Sequence, residues 1–242
     1  MTATKGTNAK LLADEFDFSG DTAGFTVTVG MGEQDATVLT STAMLYAAIL
    51  PSMGIEHNGY VQGLAATGQM EGELFARITG AHYVTCLLGT SVTGCPAYTI
   101  DSSFVRDIKL GAPATGLLTI NGSWGRGMGG SRGLRIYTGT LSATGVQTSI
   151  DFSSAGSAGG ECYLHVTAKT GTMLNTVVLV ESSATEGGAY VTEATFTVSA
   201  LGGFKATMTG TVNRWLRVNL SDLGGATNVT IVVVACVDGV TQ

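Results

Sequence analysis

The chain has 242 residues, enough for one large β domain or two of ordinary size. Only 12% of them are charged, against 35 glycines and 3 prolines, a balance that suits many short strands joined by glycine turns. The formal net charge of −6 lacks the basic footprint of a sequence-specific DNA reader, and a surface so poor in charge costs little to desolvate against neighbouring subunits.

The opening "MTATKGTNAKLLADEFD" has no apolar core of the signal-peptide kind, and the apolar runs at residues 44–50 and 229–237 are too short to span a bilayer. Synthesis in the cytoplasm without a membrane partner is expected. Residues 11–18 read as extended, a turn falls at 19–21, and Phe25, Val27 and Val29 then alternate with Thr26 and Thr28, so a β-hairpin is predicted at the front. Residues 37–50, "TVLTSTAMLYAAIL", read either as a short apolar helix, capped by Ser41 or Thr42 and ended by Pro51 and Gly54, or as a buried loop. The spacing of Met70, Leu74, Phe75 and Ile78 predicts a helix over 67–80, with Gly80 as its C-cap.

Strands are predicted over 81–89, over 97–110 with a bulge at 101–103, over 115–123 and over 134–141. The small-residue stretch "SSAGSAGGE" at 153–161 marks a composition shift, and the domain division is placed between residues 145 and 146. Beyond it, short strands at regular turn spacing and no helix predict a β-sandwich over 146–242 that folds on its own.

Gly125, Gly127 and Gly130 match the spacing G-x-G-x-x-G, but a dinucleotide loop needs a helix after it, and residues 134–141 alternate as a strand. His57, His82 and His165 have no nucleophile motif beside them, and Glu71 and Glu73 cannot share a helix face. Cys86, Cys95, Cys162 and Cys236 lack metal-ligand spacing and are expected to be thiols. No catalytic residue, cofactor or metal is therefore expected. Trp215 alternates with Leu216 on a strand and is the candidate for stacking on a sugar, the alternative being burial in the core.

"DEFDFSGDTAGFTVTV" at 14–29 resembles the opening of major tail (tail tube) proteins of long-tailed bacteriophages. "ECYLHVTAKTGT" at 161–172 and "GTVNRWLRVNL" at 210–220 resemble the C-terminal β-sandwich carried by one branch of those virion proteins. The resemblance implies a tail-tube-like β-sandwich or barrel with one short helix over residues 1–145, then the second β-sandwich domain. It also implies a homo-oligomer: hexameric rings, or trimeric pseudo-hexameric ones, stacked into a tube in the virion tail. Such a tube joins other tail proteins and passes DNA without reading its sequence. The alternative function is a carbohydrate- or receptor-binding virion protein using the C-terminal sandwich. Loops 37–59 and 125–133 are expected to be ordered by neighbouring subunits, with Arg126, Arg132 and Arg135 meeting Asp14, Asp17 and Asp21 of an adjacent copy to fix register.

Overall fold

The computed structural model describes residues 9–35, 46–61, 70–89, 94–126 and 130–240. Strands β1 (Lys10–Ala13) and β2 (Phe16–Asp17) precede two long ones, β3 (Thr22–Asp35) and β4 (Tyr46–Tyr60). Helix α1 (Met70–Ala76) follows, then β5 (His82–Leu87), β6 (Pro96–Gly111), β7 (Thr119–Arg126) and β8 (Ser131–Leu141). After the short β9 (Gly145–Val146) and β10 (Ile150–Asp151) come β11 (Gly160–Gly171), β12 (Thr176–Ser183) and β13 (Val191–Val198). The chain closes with β14 (Gly202–Met208), β15 (Trp215–Asp222) and β16 (Ala226–Val237). The protein is mainly β with one short helix among the described residues, as predicted.

Packing gathers these elements into two compact units, each discontinuous in sequence. The first comprises Met1–Gly20, His82–Thr99 and Ser131–Gln242; the second comprises Asp21–Ala81 and Ile100–Gly130. This differs from the predicted division between 145 and 146. The physical reason is β8, which precedes that point yet pairs with β16 from Leu141 opposite Val229 to Leu134 opposite Ala235.

In the first unit, β14, β11, β16 and β8 form an antiparallel sheet that continues through the start of β6 to β5, β1 and β2. A second sheet, ordered β10–β15–β12–β13, packs against it to make the predicted sandwich, with Leu164, Ile231 and Val233 meeting Val178, Val180, Leu216 and Val218 in the core. The alternate residues Tyr163, Val232, Val234 and Cys236 face the other way, where Leu12, Leu87 and Ala97 cover them. Strand β16 is thus buried on both faces, which is why "IVVVACV" shows no alternation. Each such aliphatic side chain removed from water contributes roughly 1.5–3 kcal/mol. The turn into β16 depends on glycine: Gly224 has φ 59°, and a Cβ there would stand 2.5 Å from the Thr176 nitrogen.

The second unit is a sheet ordered β3–β4–β7–β6, with β6 contributing its residues after Ile100. Met53, Ile55, Ile120, Trp124 and Val105 are buried. Helix α1 joins them, its Met70 sulfur against Gly59 of β4, while the Arg77 carbonyl accepts the Val105 N–H at 3.2 Å. The helix is shorter than predicted. The buried stripe is Met70, Glu73, Leu74 and Arg77, spaced i, i+3, i+4 and i+7, which leaves Phe75 and Ile78 exposed; Arg77 donates to the Glu73 carbonyl at 3.1 Å and to its carboxylate at 2.6 Å, and the helix ends at Ala76. Residues 67–69 lie outside the described residues.

Two other expectations change. The turn at 19–21 does not fold β3 back onto β1; β3 pairs with β4, whereas β1 pairs with β2 and β5. Of the segment read as apolar helix or buried loop, residues 37–45 lie outside the described residues, and the remainder is the start of β4. Loop 37–59 is accordingly strand from Tyr46 onward, paired with β3 and, from Met53, with β7. The bulge predicted at 101–103 coincides with Ser102 at φ 49°, and the register of β6 on β7 slips slightly later, between Val105 and Asp107.

Candidate functional site

Cross-strand pairing in the second unit lines up polar side chains from four strands. Thr26 stands opposite Glu56, Glu56 opposite Ser123, and Ser123 opposite Asp107; two residues along, Asn58 stands opposite Asn121, and Asn121 opposite Lys109. Because residues two apart share a face, these two rows form one polar surface, and they line a cleft of about 470 Å³. The cleft offers two carboxylates, one ammonium, two carboxamides and two hydroxyls. It can hold water and polar groups, and its mixed charge favours neither a simple anion nor an apolar ligand.

His57 and Gly122 also line it. The His57 ring is buried and lies under Gly122, where an added Cβ would stand 2.3 Å from its Cε1. Trp124 Nε1–H donates to His57 Nδ1 at 3.3 Å, so the neutral ring carries its proton on Nε2. Burial pushes the imidazole down to about 4, which keeps it neutral at pH 7. The sign of the linkage follows: the unfolded chain takes up this proton near pH 6.5 and the folded chain only near pH 4, so stability is full above that window and falls as pH drops through it. The fall expected from His57 is about 3 kcal/mol. Urea unfolding at pH 7 and pH 4 should show part of the acid loss disappearing in His57→Gln; an identical pH dependence in the variant would refute the assignment.

The structure separates the acidic candidates. Asp14 and Asp17 belong to the first unit and Asp21 to the second. Asp14 occupies a left-handed turn (φ 50°) and is tied inward: its Oδ1 accepts the Tyr83 N–H at 2.9 Å, its Oδ2 lies 2.7 Å from His82 Nδ1, and its carbonyl accepts from His165 Nδ1–H at 2.8 Å. With Nδ1 donating, His165 Nε2 accepts from the Thr85 hydroxyl at 2.8 Å, and Thr85 in turn meets Thr99 at 2.8 Å. Burial holds this second imidazole below its ordinary range, against the raising effect of its bond to the Asp14 carbonyl. Asp14 therefore anchors the β1–β2 turn to the sheet. Asp17 pairs with Lys10 at 2.7 Å and accepts the Ser19 N–H at 3.1 Å. Asp21 offers its carbonyl to the Tyr60 N–H at 3.0 Å, and partial burial raises its carboxyl above the usual range.

The arginine stretch divides likewise. Arg126 ends β7 with its backbone opposite Met53, residues 127–129 lie outside the described residues, and strand β8 stands where a dinucleotide loop would need a helix. Arg132 is exposed opposite Tyr98. Arg135 is fully buried, which corrects its reading as a surface contact. A bulge is the cause: between Val233 and Val234 the register skips Ile136, so alternation breaks and both Arg135 and Ile136 are buried. Burial draws the guanidinium below its ordinary range, and the backbone of Arg135 pairs with Cys95 and Gly94 at 3.0 and 2.7 Å.

Trp215 is half-buried on the outer side of the second sheet of the first unit, with the Arg214 guanidinium 5.7 Å from its ring centre. Arg214 is itself clamped by both oxygens of Asp151, at 2.5 and 2.6 Å. Nearby, Arg217 covers the Tyr190 ring at 3.7 Å and donates to Glu181 at 2.7 Å, while Asn219 donates to the other Glu181 oxygen at 2.9 Å. A guanidinium of the chain itself thus lies over each of these two rings. Glu181 and Tyr190 escaped sequence reasoning, although the opposition of Glu181 and Arg217 follows once β12 is set against β15. All four cysteines are free and buried. Among the described residues no group of three or more His, Cys, Asp or Glu is placed to hold a metal, and no helix is long and apolar enough to cross a membrane.

No protein-family model matches the chain, and no curated protein is significantly similar to it. Among solved structures it is slightly similar to a chain in the cryo-EM structure of the anti-feeding prophage (AFP) baseplate, 6-fold symmetrised. The two are 10% identical with a TM-score of 0.35, and the match covers 55% of this chain and 97% of that one.

Proposed function

We propose that this protein is a structural subunit of a phage tail that self-assembles into stacked rings around a conduit for DNA, alongside other tail proteins and without a catalytic step. The observation that carries the reading is the pair of open edges on the second unit. Among the described residues, strand β3 runs 14 residues with β4 as its one partner, and β6 pairs with β7 alone from Phe104 to Gly111. Unpaired edges of that length invite a further strand, and a monomer ordinarily blunts them. The resemblance of residues 14–29, 161–172 and 210–220 to tail proteins supports the same reading, as does a surface poor in charge.

Sedimentation velocity across a hundredfold range of protein concentration tests it. A discrete high-mass species growing at the expense of the 24.7 kDa chain is expected. A single 24.7 kDa boundary at every concentration would overturn the proposal.

A further inference from the structure

Several of the large apolar side chains exposed on the second unit, Tyr60, Leu110, Leu117 and Leu118, lie at one end of its sheet. Leu110 is 56% exposed and Leu117 67%; with Leu118 they surround the tip of the β6–β7 hairpin. A groove of about 190 Å³ opens there between Val61, Leu110, Ala112 and Leu118, with Glu71 on its rim. Exposed apolar surface rimmed by charge marks an interaction site.

The matching feature lies midway along β6, where its pairing with β7 begins. Phe104 is 43% exposed and stands opposite Gly125, whose missing side chain leaves room for the stem of the exposed Arg106; a Cβ at Gly125 would meet the Arg106 Cδ at 2.3 Å. The middle of β6 thus carries an aromatic knob beside a cation, and its C-terminal end an apolar hole beside an anion. Seven residues of extended strand separate Phe104 from Gly111, about 23 Å, so one copy cannot fill its own groove.

Resting on the self-assembly reading above, we propose that a second copy of this chain seats Phe104 in the groove at Leu110 and Leu118, with its Arg106 against Glu71 of the first. Two different patches meet, so the contact is heterologous: every bound copy presents a fresh groove, and growth continues until a ring closes or a filament extends. The occupant is assigned by charge as well as shape, since an aromatic beside a guanidinium answers an apolar pocket beside a carboxylate.

Mass photometry of the full chain tests this, with circular dichroism confirming the fold of each variant. Glu71→Arg and Arg106→Glu should each raise the concentration for half-assembly by about tenfold, and the double variant should regain the wild-type value. Leu118→Ser, a surface change that spares the buried core, should act like the single swaps. Mixing Leu118→Ser with Phe104→Ser should stop growth at dimers, because the pair retains one working groove and one working knob. If the wild-type chain assembles but the single variants assemble equally well, or the double swap stays impaired, a different partner or segment fills the groove and this inference falls while self-assembly stands. A wild-type chain that remains monomeric overturns both.

Discussion

Replacing Trp124 with alanine is expected to destabilise the second unit by about 3–5 kcal/mol. Its indole is fully buried on β7, opposite Ile55 of β4 on one side and Val105 of β6 on the other, so it is the central brace of the β3–β4–β7–β6 sheet. Truncation to alanine empties that space and removes the donor to His57 Nδ1, leaving a buried acceptor to be satisfied. Small units have little stability in reserve, so a loss of this size should unfold much of the unit. The chain has two tryptophans, and in the variant only Trp215, in the first unit, remains to fluoresce. Circular dichroism should therefore show an early transition in urea that Trp215 emission does not share. A loss below about 1 kcal/mol would mean that the site relaxes around the cavity and that Trp124 is not the brace.

Cutting the chain between residues 145 and 146 is expected to leave a C-terminal piece without cooperative unfolding. Residues 146–242 contain both sheets of the sandwich in outline, which is why the sequence points to an independent domain there. The packing says otherwise on two counts. Removal of β8 strips the paired edge of β16 and takes Ile136 and Leu141 out of the core. Loss of β1, β5 and the start of β6 uncovers Tyr163, Val232, Val234 and Cys236 on the opposite face. An apolar strand bare along one edge and one face is a site for aggregation. Thermal melts of the fragment should be broad and irreversible beside those of the full chain; a sharp, reversible transition would show that the fragment is autonomous after all.

The strands were legible where one face is wet. In β15, Leu216, Val218 and Leu220 are buried while Trp215, Arg217 and Asn219 are half-buried, which is the alternation that the sequence displays. Legibility failed where tertiary structure breaks the period. The bulge at Ile136 hides Arg135 from any two-residue pattern, and β4 begins within an apolar run that periodicity cannot tell from a helix. The discontinuous units were invisible because β6 serves both, giving its first four residues to one and the rest to the other, with no glycine- or proline-rich linker at the crossing. The polar cleft escaped notice for a related reason. Glu56, Asp107 and Ser123 are far apart in sequence and become one row only through pairing register. The anchoring role of Asp14 was invisible because its partners Tyr83, His82 and His165 lie up to 151 residues away.

Self-assembly is the centre of this account, and negative-stain electron microscopy of the purified full-length chain tests it most directly. Rings of uniform diameter that stack end to end into hollow tubes are expected as protein concentration rises. A field of discrete particles the size of one 24.7 kDa chain, unchanged at the highest concentration the protein tolerates, would contradict it.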